Sequence, residues 1–221
     1  MQSLPGLGGA STVARGINES GQVAGYSQLP TGRYRAFVWT AANGMTALDT
    51  LGGPHSYGLG INNAGQVTGI SYIELSPRAF LWDPVAGMTE LGTLDGVASY
   101  GKAINDLGHV VGYGSFGEGA KVAFFWSQET GMISLGTLGG ENSFAKGINE
   151  SDHVVGQSEY AGSVRGFIWS AELGMLDLND LLIENKGHRI VATLSINNHG
   201  EIAAMAKNQQ GRTHTVLLRP R

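Results

Sequence analysis

Short apolar runs, separated by polar stretches rich in Gly and Asn, recur along the whole chain in sets of four. In one set Gln22-Val23-Ala24-Gly25-Tyr26-Ser27 and Arg35-Ala36-Phe37-Val38-Trp39 carry the β-branched and aromatic content of strands. A Gly-bearing turn leads from the second of these to Met45-Thr46-Ala47-Leu48, and a Leu-Gly-Gly linker or its like carries the chain onward. The first run of each set is made of small residues and ends in Ile-Asn, as in Ser143 to Asn149. The Asn-x-x-Gly that follows suits a type I turn, with Asn at the first position and Gly supplying a positive φ or a bulge at the fourth.

The sets repeat. Ile-Asn occurs at Ile17-Asn18, Ile61-Asn62, Ile104-Asn105, Ile148-Asn149 and Ile196-Asn197, at spacings of 44, 43, 44 and 48 residues. Trp39, Trp82, Trp126 and Trp169 keep the same period, as do Gly44-Met45, Gly87-Met88, Gly131-Met132 and Gly174-Met175. Three markers at one period predict a repeat architecture. A lone four-stranded unit exposes two apolar faces, and stacking the units in a ring buries both, with Trp and Phe between them. Met1-Gln2-Ser3-Leu4 aligns with the fourth strand of a unit, and His214 to Leu218 aligns with the third. The expected fold is therefore all-β: one domain over residues 1–221, a five-bladed β-propeller with four strands per blade, its last blade closed by the N-terminal strand so that no edge is left unpaired.

Units of the form Arg-Ala-Phe-Leu-Trp, Gly-Met-Thr-Glu-Leu-Gly-Thr-Leu and Ser-x-Gly-x-Ile-Asn-x-x-Gly-Gln-Val resemble the HAF family of bacterial repeats, named for His-Ala-Phe. The first position of that motif is Arg35, Arg78, Val122, Arg165 and His214, so the third unit departs from it, and the fifth has Thr215-Val216 in place of Ala-Phe. The resemblance spans essentially the whole chain. It implies a secreted, extracellular or periplasmic scaffold and brings little functional content.

Composition narrows the choice of function. Gly is 35 of 221 residues, against a usual ~7%, which means many tight turns. The net charge is -4 without a basic stripe, so binding nucleic acid through phosphates is not expected. No run approaches the ~18 apolar residues of a membrane span. The absence of Cys excludes disulfides, thiolate metal sites and a Cys nucleophile. Met1 to Pro5 lacks the basic start and apolar core of a signal peptide, which leaves a cytosolic protein or one whose leader has been removed. A monomer is expected.

The recurring Asn are assigned to turns and the recurring Trp to the core. Arg35, Arg78, Arg165 and His214 would form a partial ring, either as braces for loops or as an anion-binding rim. The linkers into each first strand hold the residues that vary: His55 and Tyr57, Ser99 and Tyr100, Glu141, Asn142 and Ser143, His188 and Arg189. Such linkers cluster at the mouth of a propeller, where one asymmetric ligand site would comprise His55, Tyr57, Tyr100, Glu141, Asn142, His188 and Arg189. In the plainer reading Ser56, Ser99 and Ser143 cap backbone amides there. His55, Glu141 and His188 are the candidate acid/base groups. No cofactor is expected. His109 and His153 match no zinc spacing; Glu19, Asp106, Glu150 and Asp152 lie in the turns, where Ca²⁺ would be the only candidate, without a calcium-loop motif. The leading expectation is a binding module for a glycan, small molecule or protein. The alternatives are a hydrolase or lyase at the channel mouth and a structural scaffold.

Overall fold

The computed structural model describes residues 3–117 and 119–220, whose regular structure is entirely β. The first sheet is β1 (Thr12–Ile17), β2 (Val23–Gln28), β3 (Tyr34–Thr40) and β4 (Gly44–Ala47). The second is β5 (Ser56–Ile61), β6 (Val67–Ile73), β7 (Ser76–Asp83) and β8 (Gly87–Glu90). The third comprises β9 (Ser99–Ile104), β10 (Val110–Phe116), β11 (Ala120–Ser127) and β12 (Gly131–Ser134), and the fourth β13 (Ser143–Ile148), β14 (Val154–Tyr160), β15 (Ser163–Ser170) and β16 (Gly174–Asp177). The fifth holds β17 (Arg189–Ile196), β18 (Ile202–Lys207) and β19 (Thr213–Leu218). Strands neighbour one another in chain order within every sheet. Of the segment expected to close the last sheet, Met1 and Gln2 lie outside the described residues, and Ser3 and Leu4 belong to no strand. The chain divides into two compact units, one reaching Thr93 and including Val97–Val110, the other comprising Leu94–Gly96 and the chain from Val111 onward.

The Asn-x-x-Gly turns form as their chemistry requires. In the first, Gly21 N–H donates to the Asn18 carbonyl at 3.0 Å and Asn18 N–H to the Gln22 carbonyl at 3.1 Å. Gly21 takes φ 74°, a left-handed value that only Gly adopts without strain. The fourth turn has Asp152 at that position, held at φ 57°.

The buried filling is Phe more than Trp. Phe37, Phe80, Phe124 and Phe167 are wholly buried, whereas Trp39, Trp82 and Trp126 are half-buried. Across the register from three of these rings stand Gly25, Gly69 and Gly156. A Cβ at Gly69 would strike the Tyr57 carbonyl and come within 3.0 Å of the Phe80 ring, so the ring occupies the space a side chain would need. In the first unit Ala24 and Val38 of the first sheet pack on Val67 and Phe80 of the second, with Trp82 along the margin. In the second unit Val155 packs on Ile190, Ile202 and Ala204. Indole is too large to be sealed readily on all sides, and it covers the edge of this core.

Polar bonds from sheet to sheet follow the same period. Asn62 Oδ1 accepts the Gln66 N–H at 2.9 Å, while its Nδ2 donates to Gln66 Oε1 at 2.8 Å and, 43 residues on, to the Asn105 carbonyl at 3.0 Å. Asn18 makes the same bond to the Asn62 carbonyl at 3.0 Å, and Asn149 to that of Asn197 at 3.2 Å. One position further, Glu19 N–H donates to Asn63 Oδ1, Asn63 N–H to Asp106 Oδ1, and Glu150 N–H to Asn198 Oδ1. At the other end of the strands Ser56, Ser99 and Ser143 accept the N–H groups of Ala36, Ala79 and Ala123 in the preceding sheet. The expectation that these Ser cap backbone amides holds, with the capped amide in the neighbouring sheet.

Asn62 is 4% exposed. Replacing it by Ala leaves the Gln66 N–H without its acceptor and takes from the buried Asn105 carbonyl one donor, the Gly108 N–H remaining, and the expected loss is about 1–3 kcal/mol in chemical denaturation. Asn62→Asp should also destabilise at neutral pH, since a carboxylate cannot donate to the Asn105 carbonyl. An unchanged midpoint for either variant would remove this amide from the account of how the sheets are held.

Candidate functional site

The first unit gathers aromatic rings at the Ser56 end of its strands. Tyr57 on β5 lies 5.1 Å from Tyr26 on β2 edge-on, 5.6 Å from Tyr34 on β3 in a stacked arrangement, and 6.4 Å from Tyr72 on β6. His55, in the linker before β5, stacks on Tyr57 at 6.1 Å and meets Tyr72 edge-on at 6.1 Å. His55 Nδ1 accepts the Tyr34 N–H at 3.1 Å, so the neutral ring carries its proton on Nε2 and presents a donor there. All five rings are half-buried. Burial, followed by the neighbouring Tyr72, Tyr34 and Tyr26 phenols, raises the pKa of Tyr57 above the usual phenol value. Burial, and then Tyr72, does the same to Tyr100 on β9.

One cation, Arg15, adjoins these rings, and Lys102 lies within reach of its charge. The first strands carry a β-bulge, with register shifts between Ala14 and Gly16 in β1, Gly58 and Gly60 in β5, and Ala145 and Gly147 in β13. A bulge turns its extra residue out of the alternation. That residue is Arg15 in β1, Leu59 in β5 and Lys146 in β13, and Lys102 has the same place in the repeat in β9. Arg15 Nη2 donates to the Tyr26 hydroxyl at 3.1 Å, with its guanidinium 5.5 Å from the Tyr26 ring centre. Burial, reinforced by the Arg15 charge, lowers the pKa of Lys102. Burial also lowers that of Lys146, whose Nζ donates to Gln157 Oε1 at 2.7 Å.

The sequence-predicted residues are thus distributed between the units. His55, Tyr57 and Tyr100 belong to the first unit, where Tyr72 adjoins all three. Glu141, Asn142, His188 and Arg189 belong to the second. Glu141 is exposed. Asn142 is committed to its loop, with Nδ2 donating to Glu159 Oε1 at 2.9 Å and Oδ1 accepting the Lys121 N–H at 2.9 Å. The Arg of the repeat brace the chain locally. Arg35 donates to the Tyr34 and Pro54 carbonyls, at 3.0 and 2.7 Å. Arg78 pairs with Glu90 at 2.9 Å and donates to the Val97 carbonyl, and Arg165 pairs with Asp177 at 3.3 Å. His214 contacts Asn208 and the edge of His188. Tyr26, Tyr34, Tyr72, Arg15 and Lys102 were not singled out from the sequence. The bulge position, which is Arg15, Leu59, Lys102 and Lys146 down the repeat, is the signal that points to two of them. Among the described residues no three His, Asp or Glu converge in a way that would hold a metal ion.

Solved structures supply the comparison. TolB from Acinetobacter baumannii superposes with a TM-score of 0.62 at 13% identity over 90% of this chain. A TolB-type protein from Agrobacterium tumefaciens gives 0.62 at 10% identity over 94% of this chain and 81% of its own. The fold is that of a β-propeller. The gluconolactonase XC5397 from Xanthomonas campestris shares it at a TM-score of 0.50 and 8% identity, over 95% of this chain and 77% of its own. This chain spans half the length of the Acinetobacter TolB. No family model and no curated protein matches the sequence. The five sheets are accordingly the blades of a propeller, and the likeness carries the fold alone.

The Lys102 environment has a measurable consequence. Its folded pKa lies below that of the unfolded chain, so the unfolded state binds more protons between the two values and stability rises with pH across that window. Lys102→Met removes the penalty of the buried charge, and the variant should melt above the wild type near pH 7. The difference should shrink as the pH is raised toward the unfolded lysine range, where the wild-type amine is neutral in both states. A melting temperature lowered by the substitution at pH 7 would contradict this reading.

Proposed function

We propose that the chain is a ligand-binding propeller module whose site is the tyrosine and histidine cluster of the first unit, and that its ligand is a glycan bearing an anionic group. The observation that supports this is the convergence of Tyr26, Tyr34, His55, Tyr57 and Tyr72 beside Arg15. Phenol rings offer apolar faces for sugar C–H groups and hydroxyls for sugar oxygens. Arg15, with Lys102, provides positive charge for a carboxylate or ester oxyanion. A charge that is partly desolvated in the free protein weakens folding, and such expense is common where binding is the return. The cluster is not repeated as a whole: the Tyr57 position is Val13, Tyr100 and Phe144 in the first, third and fourth blades, and the His55 position is Ser11, Ala98 and Asn142. A panel of neutral and uronic-acid oligosaccharides, followed by tyrosine fluorescence and calorimetry, tests this. Binding should favour the acidic members. Tyr57→Ala should weaken it by about tenfold or more, as loss of a stacking anchor does, and Arg15→Gln should erase the preference for acidic over neutral sugars. Equal affinity for the panel in wild type and Tyr57→Ala would refute the assignment.

The scaffold we read as a HAF-type, secreted five-bladed ring, with the fourth strand of the last blade contributed by the N-terminal segment. In the other blades the Leu after the fourth strand donates its N–H to the third strand, as Leu48 does to Ala36 at 2.7 Å and Leu91 to Ala79 at 3.0 Å, and is buried. Leu4 is their counterpart in the repeat. Beside β19, whose Leu217 is 52% exposed, opens an apolar cleft of about 580 Å³ lined by Leu181, Leu182, Ile183 and Leu218. Removing residues 1–5 should lower the melting temperature by several degrees and promote aggregation through the exposed edge. A truncated chain that melts like the full one would leave the last blade three-stranded.

A further inference from the structure

The second unit carries a cluster of charge that the proposed glycan site does not use. Residues 185–188 form a reverse turn closed by the His188 N–H on the Asn185 carbonyl at 2.7 Å, with φ 46° at Lys186 and 73° at Gly187. Two successive positive values are the type I′ pattern. Lysine in that conformation is strained, because its Cβ crowds the following carbonyl. The β18–β19 hairpin turns at Asn208 to Gly211, closed by the Gly211 N–H on the Asn208 carbonyl at 2.9 Å. Between the two turns lies an open cleft of about 560 Å³ that takes in His188, Arg189, Lys207 and Asn208.

Charge and donors face this cleft together. Arg189 and Lys207 oppose each other in the register of β17 and β18, and both are exposed. Lys186, in the first turn, lines an adjoining cavity with His188 and Asn208, and Arg212 directly follows the second turn. Glu184 is the acid of this stretch, 3.9 Å from Lys186 with both side chains largely in solvent. Such an exposed pair neutralises little. The amide oxygens are spent on the backbone: Asn185 Oδ1 accepts the Gly187 N–H, and Asn208 Oδ1 those of Gln210 and Arg212. What these amides have for a ligand is N–H. The orientation of Asn208 is fixed by those two bonds, so its Nδ2 faces His214 Nε2 at 3.3 Å, and the His188 ring lies 5.8 Å from that of His214. In a chain of net charge -4, a cleft lined by Arg189, Lys207 and His188, with Lys186 and Arg212 close by in sequence, is a local reversal of sign.

We propose that this cleft is a second binding site, for a small ligand carrying two or more oxyanion groups, such as a phosphorylated or sulfated sugar. Its volume suits a small molecule. Arg189 offers a planar fork for two oxygens of one group, while Lys207 and Lys186 offer point charges for a second. Calorimetry with pyrophosphate and, separately, sucrose octasulfate distinguishes phosphate from sulfate sources of the same chemistry. Binding of at least one probe at low ionic strength is expected, falling steeply as salt rises because the cations are exposed. R189Q/K207Q should weaken it by about tenfold or more, while Arg15→Gln, in the other unit, should leave it unchanged. Should the double variant fail to fold, Lys186→Gln in its exposed turn serves instead, together with the ring-proton shifts of His188 and His214 in the wild type on addition of probe. Binding that is equal in wild type and variants, still imidazole signals, or no binding of either probe would overturn the proposal.

Discussion

One amide group repeated down the chain joins this protein's blades. Asn18, Asn62 and Asn149 each use the side-chain oxygen within their own turn and the nitrogen to reach the backbone carbonyl of the equivalent Asn in the next blade, Asn62, Asn105 and Asn197 respectively. Apolar packing of Ala24, Val38, Val67 and Phe80 supplies much of the driving force, but it is non-directional. The amide is directional, and it sets the offset at which one sheet meets the next. Burying it at Asn62 is tolerable because each of its polar atoms has a partner.

That constraint explains where variation is allowed. The turns are tied into the inter-blade bonds and keep their form; the bulge after Ala14, Gly58 and Ala145 recurs as well, even though its residue changes from Arg to Leu to Lys. The side chain at a bulge is set apart from the packed faces, so its chemistry can differ from blade to blade without disturbing the core. Arg15 and Lys102 exploit this freedom, and the tyrosines of β2, β5 and β6 supply the surface beside them.

Much of the blade was visible in the sequence, since strands, turns and period are local patterns. Asn-x-x-Gly announced its own turn, and Ser56, Ser99 and Ser143 announced their capping role. What stayed hidden is non-local or geometric. Nothing near Asn62 reveals that its nitrogen bonds a carbonyl 43 residues away. Phe80 and Trp82 look equally suited to a core, and only the pairing of Gly69 with Phe80 decides which is enclosed. Of the candidate site, His55, Tyr57 and Tyr100 were found because they stand at the linkers into the first strands, where side chains vary along the chain. Tyr26 and Tyr72 were missed because they sit in strands that look ordinary, and Arg15 because a bulge cannot be read from alternation alone.

Because donor and acceptor in the inter-blade bond belong to the same residue type at the same place in the repeat, Asn62 presents to Asn18 what Asn105 presents to Asn62. A duplicated or exchanged repeat would therefore find its partners already in place. The linkers take no part in that bond, which fits the tolerance of a 48-residue step from Asn149 to Asn197 beside a 43-residue step from Asn62 to Asn105. In evolutionary terms the Asn position is a standard coupling, and copying whole units is a route to new proteins that requires no prior redesign of the joints.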